Sequence, residues 1–412
     1  MSRPEQAEIV VIGAGAAGLM AGIWAGRTNP QRSIILLDGA RTLGAKILVA
    51  GGGRCNVTHD HVDVGAYAGA SPHAIKKVLD RFDVPATIAF FREIGVDLKR
   101  EETGKLFPTS DSAKTVLAAL LAAASEANVE IRHPCRVDTV QKRREDFQIM
   151  GAWGQIEAQQ LVLATGGRSL PKSGSDGHGL RIAQSLGHRV TERVFPSLVP
   201  LTLPQHHFIC SLSGIAVPAT LDLWSRTGKH LRSFTNSTLC THFGLSGPSV
   251  LDMSRYYIDA QLDDPGSVLT INWLPEQTTE QVDRALQDLG RATPMQLLRT
   301  HLPERLARAL CHDAGVEPTT PGNELARSQR KALARTCTRL PLPVTGNRGY
   351  NYAEVTAGGI PLSEVRLDTM ESRVCPGLYL CGEICDVDGR IGGFNFQWAW
   401  ASGYLAGVSA GS

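Results

Sequence analysis

The residues that first suggest chemistry are glycines. Gly13-Ala14-Gly15-Ala16-Ala17-Gly18 fits Gly-x-Gly-x-x-Gly. It follows an apolar run at residues 8–12, which reads as a buried parallel strand. It opens an Ala-rich run at 16–27, which reads as a helix with small residues facing that strand. Gly13 permits the tight turn, Gly15 lets backbone approach a pyrophosphate, and Gly18 lets helix and strand pack closely. Gly13, Gly15, Ala16, Ala17 and Gly18 then hold phosphates against a helix N-terminus, where free N–H groups and the dipole favour negative charge. Asp38 ends the next apolar run, twenty residues past Gly18. Its carboxylate can accept hydrogen bonds from a ribose and would repel a 2′-phosphate. The chemistry implied is dinucleotide binding; this motif alone does not separate FAD from NAD.

Three further segments carry glycine clusters. Gly51-Gly52-Gly53-Arg54-Cys55-Asn56 follows the second strand, and Leu163-Ala164-Thr165-Gly166-Gly167 ends a later one. Gly382-Glu383 ends the last, followed by Asp386, Asp388, Gly389 and Gly392-Gly393-Phe394-Asn395. Together they resemble the FAD-containing two-dinucleotide-binding-domain flavoproteins. The resemblance implies that Ala164, Thr165, Gly166 and Gly167 lie along a non-covalent FAD. It implies that Glu383 holds ribityl or pyrophosphate-side groups, and that the helix start at Gly392, Gly393 and Asn395 faces the flavin carbonyl edge. N–H groups there would stabilise the charge of a reduced flavin.

The match narrows on four stretches: Lys46-Ile47-Leu48-Val49-Ala50-Gly51 running on to Thr58, Thr241-His242-Phe243-Gly244-Leu245-Ser246-Gly247-Pro248, Val355-Thr356-Ala357-Gly358-Gly359 with Thr369-Met370-Glu371-Ser372, and Gly382-Glu383 through Trp400. They are similar to the BaiN-like or aminoacetone-oxidase-like family of bacterial NAD(P)/FAD-dependent oxidoreductases, over essentially the whole chain. The implied activity is hydride transfer between flavin N5 and a small organic substrate. That is either NAD(P)H-dependent reduction of an enone-like compound or oxygen-linked oxidation of an amine. The sequence departs from the family at Asp38, where Glu is commoner, at Ile391 for Thr, and at Phe394 and Phe396 for Tyr and Leu. The last three leave substrate choice open.

Single residues can be weighed beside these motifs. Lys46 could set a cation near flavin N1 or the pyrophosphate; the plainer reading is a surface charge. Arg54 reads as a cofactor or structural hydrogen-bonding group. Cys55 has no partner cysteine four residues away, so it reads as a structural thiol beside the cofactor. Gly52, Gly53, Asn56, Val137, Gly382, Asp388, Phe394 and Phe396 complete the candidate cofactor set. His242 and Tyr350 are candidate proton donors, since imidazole titrates near neutrality and a phenol can protonate an enolate. Both fall in the segment that faces the flavin in this family; the plainer reading is that they line the pocket or support it.

The expected fold class is α/β: a Rossmann-like FAD-binding domain split in sequence, with an inserted β-rich domain and a small helical domain. The expected division is 1–190 for the first part of the FAD domain, 191–273 for β-rich insert, 274–338 for a helical cap, 339–354 for a return strand of the insert, and 355–412 for the second part of the FAD domain. A helix over 112–128 is expected with Ser112 as its cap.

Composition bounds the rest. Gly is 42 of 412 residues, above the usual ~7%, and its clustering suggests backbone close to a ligand. The formal net charge is +2, with no strongly basic domain, so no nucleic-acid partner is expected. The basic runs Lys142-Arg143-Arg144 and 327–331 read as solvated surface. Nine cysteines without a Cys-x-x-Cys pair suggest free thiols in a reducing cytoplasm and no metal site. No membrane span or secretion signal is read. No second Gly-x-Gly-x-x-Gly follows residue 150, so NAD(P)H is expected only as a transient electron donor. A homo-oligomer is admitted but not required. The alternatives are a tRNA-modifying flavoprotein and a non-catalytic FAD-binding protein.

Overall fold

The computed structural model describes residues 5–412. Its contacts divide the chain into two compact units, one joining the chain up to Pro196 with Glu354–Ser412, the other Ser197–Ala353. Among the described residues no helix is long and apolar enough to cross a membrane.

The first unit is a Rossmann-like α/β domain assembled from both ends of the sequence. Five parallel strands lie in the order Leu378–Leu380, Gly154–Leu163, Glu5–Ile12, Ile34–Leu37, Val129–Arg132. Ile9, Val10, Val11, Leu161, Val162 and Leu163 are wholly buried, so the strands read as continuous apolar runs, as parallel strands covered on both faces must. In chain order the sheet runs fifth, fourth, first, second, third. The winding therefore reverses between Gly154–Leu163 and Glu5–Ile12. In open α/β sheets the crevice beyond the carboxyl ends at such a reversal is where ligands bind.

Two helices cover one another tightly. The last helix, Phe394–Gly411, carries Gly403, Gly407 and Gly411 at a spacing of four. The first helix, Ala16–Thr28, carries Ala17, Ala21 and Ala25 at the same spacing. A Cβ on each glycine would stand 2.5, 2.3 and 2.7 Å from the carbonyl oxygens of Ala17, Ala21 and Ala25 respectively. The two backbones are thus in direct contact, which only glycine permits.

A buried polar network ties the returning C-terminal segment to the earlier chain. His188 Nδ1 donates to Glu364 Oε2 at 2.8 Å, and its Nε2 accepts from the Ser372 hydroxyl at 2.8 Å. Arg189 Nε donates to Glu364 Oε1 at 2.6 Å and its backbone N–H to Oε2 at 3.1 Å. Burial alone would raise the Glu364 carboxyl; hydrogen bonds from Arg189 and His188 outweigh it and hold the group below the ordinary glutamate range. A depressed folded value means the stabilisation is present above the unfolded value and lost as pH falls through the folded one. Glu364→Gln is expected to lower unfolding free energy by about 1–2 kcal/mol at pH 7, because it weakens the hydrogen bonds that His188 and Arg189 make to a buried acceptor. It should also remove the share of the acid-side fall in stability that this carboxylate contributes. Urea unfolding at pH 7 and at pH 4 reads both, and an unchanged midpoint at pH 7 would refute the role.

The second unit is built on a seven-stranded sheet in the order Leu340–Pro341, Val268–Asn272, Ala216–Trp224, His230–Thr241, Gly244–Ser246, Leu201–Thr202, Gly346–Asn347, with antiparallel neighbours throughout. Helix Pro248–Asp263 packs on it, and helices Thr279–Gln287, Glu304–Asp313 and Arg327–Thr338 share its core through Val282, Leu286, Leu306, Leu310, Leu333 and Cys337.

Two local expectations need correcting. Ser112 stands at the N-cap of Ala113–Glu126 but its side chain makes no capping bond. Between residues 340 and 353 the extended character amounts to two strands of two residues each. The Pro-rich stretch Pro341-Leu342-Pro343 lacks the donors a longer ladder needs.

Candidate functional site

The Gly-rich turns converge on the reversal point of the first unit. Gly13 leaves Glu5–Ile12 in a left-handed conformation, φ 107°, and its N–H donates to Leu37 O at 2.8 Å. A Cβ there would lie 2.5 Å from Ala164 O, so the turn after the first strand abuts the turn after its neighbour. A Cβ on Gly18 would lie 1.8 Å from Gly13 O, which fixes how closely the first helix sits on the turn. Gly15 differs: a Cβ there would meet nothing within 4 Å. It is the N-cap of the first helix, no side chain caps it, and the first turn holds no acid. The helix therefore presents bare N–H groups to an open space, an anion-accepting arrangement.

Asp38 stands beside this turn. Its Oδ2 accepts from Ala14 N–H at 2.6 Å and its Oδ1 from Ala40 N–H at 2.7 Å. Each oxygen keeps a lone pair for a hydroxyl donor.

The turn Ala164-Thr165-Gly166-Gly167 brings in the C-terminal motif. A Cβ on Gly167 would lie 2.5 Å from Thr356 Oγ1 and 2.8 Å from Glu383 Oε1. Glu383 Oε1 accepts from Thr356 N–H at 3.0 Å, and its Oε2 pairs with Lys46 Nζ. Gly382 is left-handed, φ 77°, and a Cβ on it would come within 2.7 Å of the Ala17 Cβ in the first turn of the first helix. Lys46, Glu383, Gly167 and the start of the first helix thus form one cluster from segments more than 300 positions apart.

The last helix begins at this same end of the unit. Gly393 is its N-cap, φ 96°, without a side-chain cap. A Cβ on Gly393 would fall 2.6 to 2.8 Å from Thr58 backbone atoms. Asn395 clamps this turn, with Oδ1 accepting from Gly389 N–H at 2.8 Å and Nδ2 donating to Gly389 O at 2.9 Å. Tyr67 donates its hydroxyl to Phe394 O at 2.9 Å. Asp388 is buried in the short strand Val387–Gly389. Phe396 stacks on Trp400 of its own helix at 5.5 Å.

The stretch after Lys46 has an unusual backbone. Helix Ala45–Gly53 breaks at Ala50, and Gly51, Gly52 and Gly53 have φ of 57°, 69° and 85°. Gly52 has nothing within 4 Å of a Cβ position, so its backbone is free for close approach. Arg54 is directed elsewhere: its guanidinium pairs with Glu101 at 2.6 Å and lies 4.0 Å over the Phe107 ring. Cys55 is buried, and burial pushes its thiol up to about 12, so it stays protonated at neutral pH and is not a nucleophile. Val137 is buried in the loop after Val129–Arg132.

Whether these residues suit FAD can be judged from groups left without partners. Among the described residues, Thr165 Oγ1, Ser175 Oγ and Asn56 Oδ1 are buried with no hydrogen-bond partner. Leaving a buried polar atom unpaired costs about 1–3 kcal/mol. Thr165 and Asn56 belong to two of the four motif segments, and Ser175 Oγ stands 2.7 Å from a Cβ position on Gly166. Bare helix starts, open glycines and unmet polar atoms in one unit are the features a bound dinucleotide would satisfy.

His242 and Tyr350 lie in the second unit. His242 is exposed in the turn between His230–Thr241 and Gly244–Ser246, edge-on to Phe243 at 5.0 Å. Tyr350 is half-buried in the loop after Gly346–Asn347. Motif reading missed the group between these loops: the Arg348 guanidinium lies 4.3 Å from the Phe243 ring and 3.8 Å from the Tyr352 ring. It also missed His59, stacked on Phe394 at 5.0 Å beside Gly392. Neither had a spacing that marked it; a basic residue between two aromatics shows only when the loops are folded.

Comparison with known proteins agrees with this geometry. Residues 7–409 match the HI0933-like protein Rossmann domain family. A 3-dehydro-bile acid delta(4,6)-reductase of Clostridium scindens is 34% identical, covering 98% of both chains. A ribosomal RNA dihydrouridine synthase of Escherichia coli is 36% identical, covering 97% of both. Among solved structures, a 3-ketosteroid delta1-dehydrogenase from Sterolibacterium denitrificans superposes with a TM-score of 0.54 at 11% identity, covering 99% of both chains, a likeness of fold.

Proposed function

The chain belongs to the HI0933-like Rossmann-domain family of flavoprotein oxidoreductases, and on that footing we propose that it is an FAD-dependent reductase of carbon–carbon double bonds conjugated to a carbonyl. The observation that carries the FAD part is the convergence of Gly13–Gly18, Ala164–Gly167, Gly382-Glu383 and the start of the last helix at one sheet reversal. The double-bond part comes from chemistry shared by two relatives. A delta(4,6) bond in a 3-oxo steroid and the bond saturated in making dihydrouridine are both C=C conjugated to C=O.

When bound, FAD supplies the hydride. The remaining work belongs to the chain. N–H groups at Ala16 and Ala17 take the pyrophosphate, and Asp38 takes a ribose hydroxyl. Glu383, fixed by Lys46 and the Thr356 N–H, takes the hydroxyls of the ribityl side. The uncapped start of the last helix favours negative charge on the flavin ring. Saturating a conjugated C=C leaves an enolate that needs a cation or donor at oxygen and a proton at carbon. His242 and Tyr350 of the second unit are the candidate donors for the proton. NADH or NADPH serves as a transient donor.

Anaerobic mixing tests this. NADH or NADPH should bleach the flavin absorbance, and a 3-oxo-4-ene steroid or a uridine-containing RNA should restore it without oxygen. Restoration by oxygen alone, or bleaching only by amines, would replace the reading with that of an oxidase.

A further inference from the structure

Helix Arg327–Thr338 and its C-cap carry Arg327, Lys331, Arg335 and Arg339 at a constant spacing of four. That spacing puts the three helical ones on one face, about 6 Å apart, and Arg339 follows at the non-helical C-cap, φ −154°. All four are exposed. None has an ion-pair partner among the described residues, while the neighbouring Arg330 is paired with Asp283 at 2.7 Å. Like charges four apart weaken a helix, so the two such pairs inside it, Arg327 with Lys331 and Lys331 with Arg335, are a local cost.

The stripe ends in a built feature. A cavity of about 360 Å³ is lined by Thr279, Glu280, Arg335, Thr336 and Arg339 among others. The Arg339 guanidinium lies 4.3 Å from the Trp224 ring centroid, and Trp224 is itself pinned by a 2.9 Å bond from Nε1 to Thr270 Oγ1 and by His230 edge-on at 4.9 Å. A planar cation held on an indole suits a nucleobase together with its phosphate.

We propose that this face of the second unit docks RNA, its phosphates following Arg327, Lys331, Arg335 and Arg339. The inference goes beyond the reading of the flavin site as a conjugated-bond reductase by giving the second unit a polyanion-binding surface. A polyanion is the complement of unpaired cations at even spacing. A membrane surface fits less well, because none of the exposed large apolar side chains lies on this helix.

The test uses the FAD-loaded protein, fluorescently labelled fragments of bacterial ribosomal RNA, and the fourfold variant Arg327→Gln, Lys331→Gln, Arg335→Gln, Arg339→Gln. Wild type should bind at low salt, and the variant about tenfold or more weakly. The slope of log affinity against log salt should fall in magnitude by about 3, at about 0.7 per lost contact. The variant should keep its flavin, its thermal midpoint and its rate on a free 3-oxo-4-ene steroid. Absence of wild-type binding at low salt, equal affinity and slope for both proteins, or binding to phosphatidylglycerol vesicles in place of RNA would each overturn the docking surface. If the steroid and the RNA both fail to reoxidise reduced flavin in wild type, the flavin-site reading falls instead, and RNA affinity still reports on the stripe separately.

Discussion

Gly15→Val yields a protein that purifies colourless yet folds normally. The position separates binding from folding because its backbone, φ −81° and ψ −171°, is open to any residue. A Cβ there touches nothing within 4 Å, so a valine side chain enters only the space in front of the first helix. That is the space a pyrophosphate needs to reach the bare N–H groups. FAD affinity should fall by about 100-fold or more, equivalent to about 2.8 kcal/mol. The thermal midpoint of the apoprotein should fall by no more than about 1–3 °C, the cost of a valine at an N-cap. Added FAD should raise the wild-type midpoint and leave that of the variant unmoved, since only a ligand that binds the native state stabilises it. Gly18→Ala is the contrasting case: its Cβ would sit 1.8 Å from Gly13 O and disturb the fold itself. A yellow Gly15→Val protein with wild-type flavin content would remove the pyrophosphate from this turn.

Gly407→Ala reverses the sign that helix propensity assigns. In an exposed helix interior the change would stabilise by about 1 kcal/mol. Here the Cβ would stand 2.3 Å from Ala21 O, a backbone atom of the first helix that has no rotamer to escape into. Overpacking of this kind costs about 1–3 kcal/mol, so the net effect is destabilising for Ala. For Gly407→Leu the loss should be about 3 kcal/mol or more, a fall in midpoint of about 6–12 °C. Flavin content should fall with it, because the same helix starts at the Gly393 turn of the proposed cofactor site. Scanning calorimetry of the two variants decides the matter, and a raised midpoint for Gly407→Ala would show that the helices are not in backbone contact.

What could be read before folding was whatever depends on neighbours in sequence. The Gly13–Gly18 turn, the strand before it, the helix after it and Asp38 form one βα unit and its following strand, and local sterics dictate each part. Gly166-Gly167 and Gly382 were legible for the same reason. Ser112 shows the limit: the residue type suits a cap and the position is right, but the side chain makes no capping bond. The basic run at 327–331 read as surface charge, and only the helical phase, continued through Arg335, lines three cations on one face that leads to Arg339.

The sequence alone determined that a βαβ start of the dinucleotide-binding type exists and that a Gly-Glu motif follows a late strand, because glycine's freedom at positive φ and the helix-end N–H groups are local properties. Only the tertiary structure decided that Lys46 meets Glu383, that Glu364 is held by His188 and Arg189, that Arg348 lies between Phe243 and Tyr352, and that the Gly403–Gly411 stripe lies on Ala17–Ala25. Most of these contacts join residues far apart in the chain. Which side chain meets which is set by how strands register and helices pack, and no spacing within one segment encodes that.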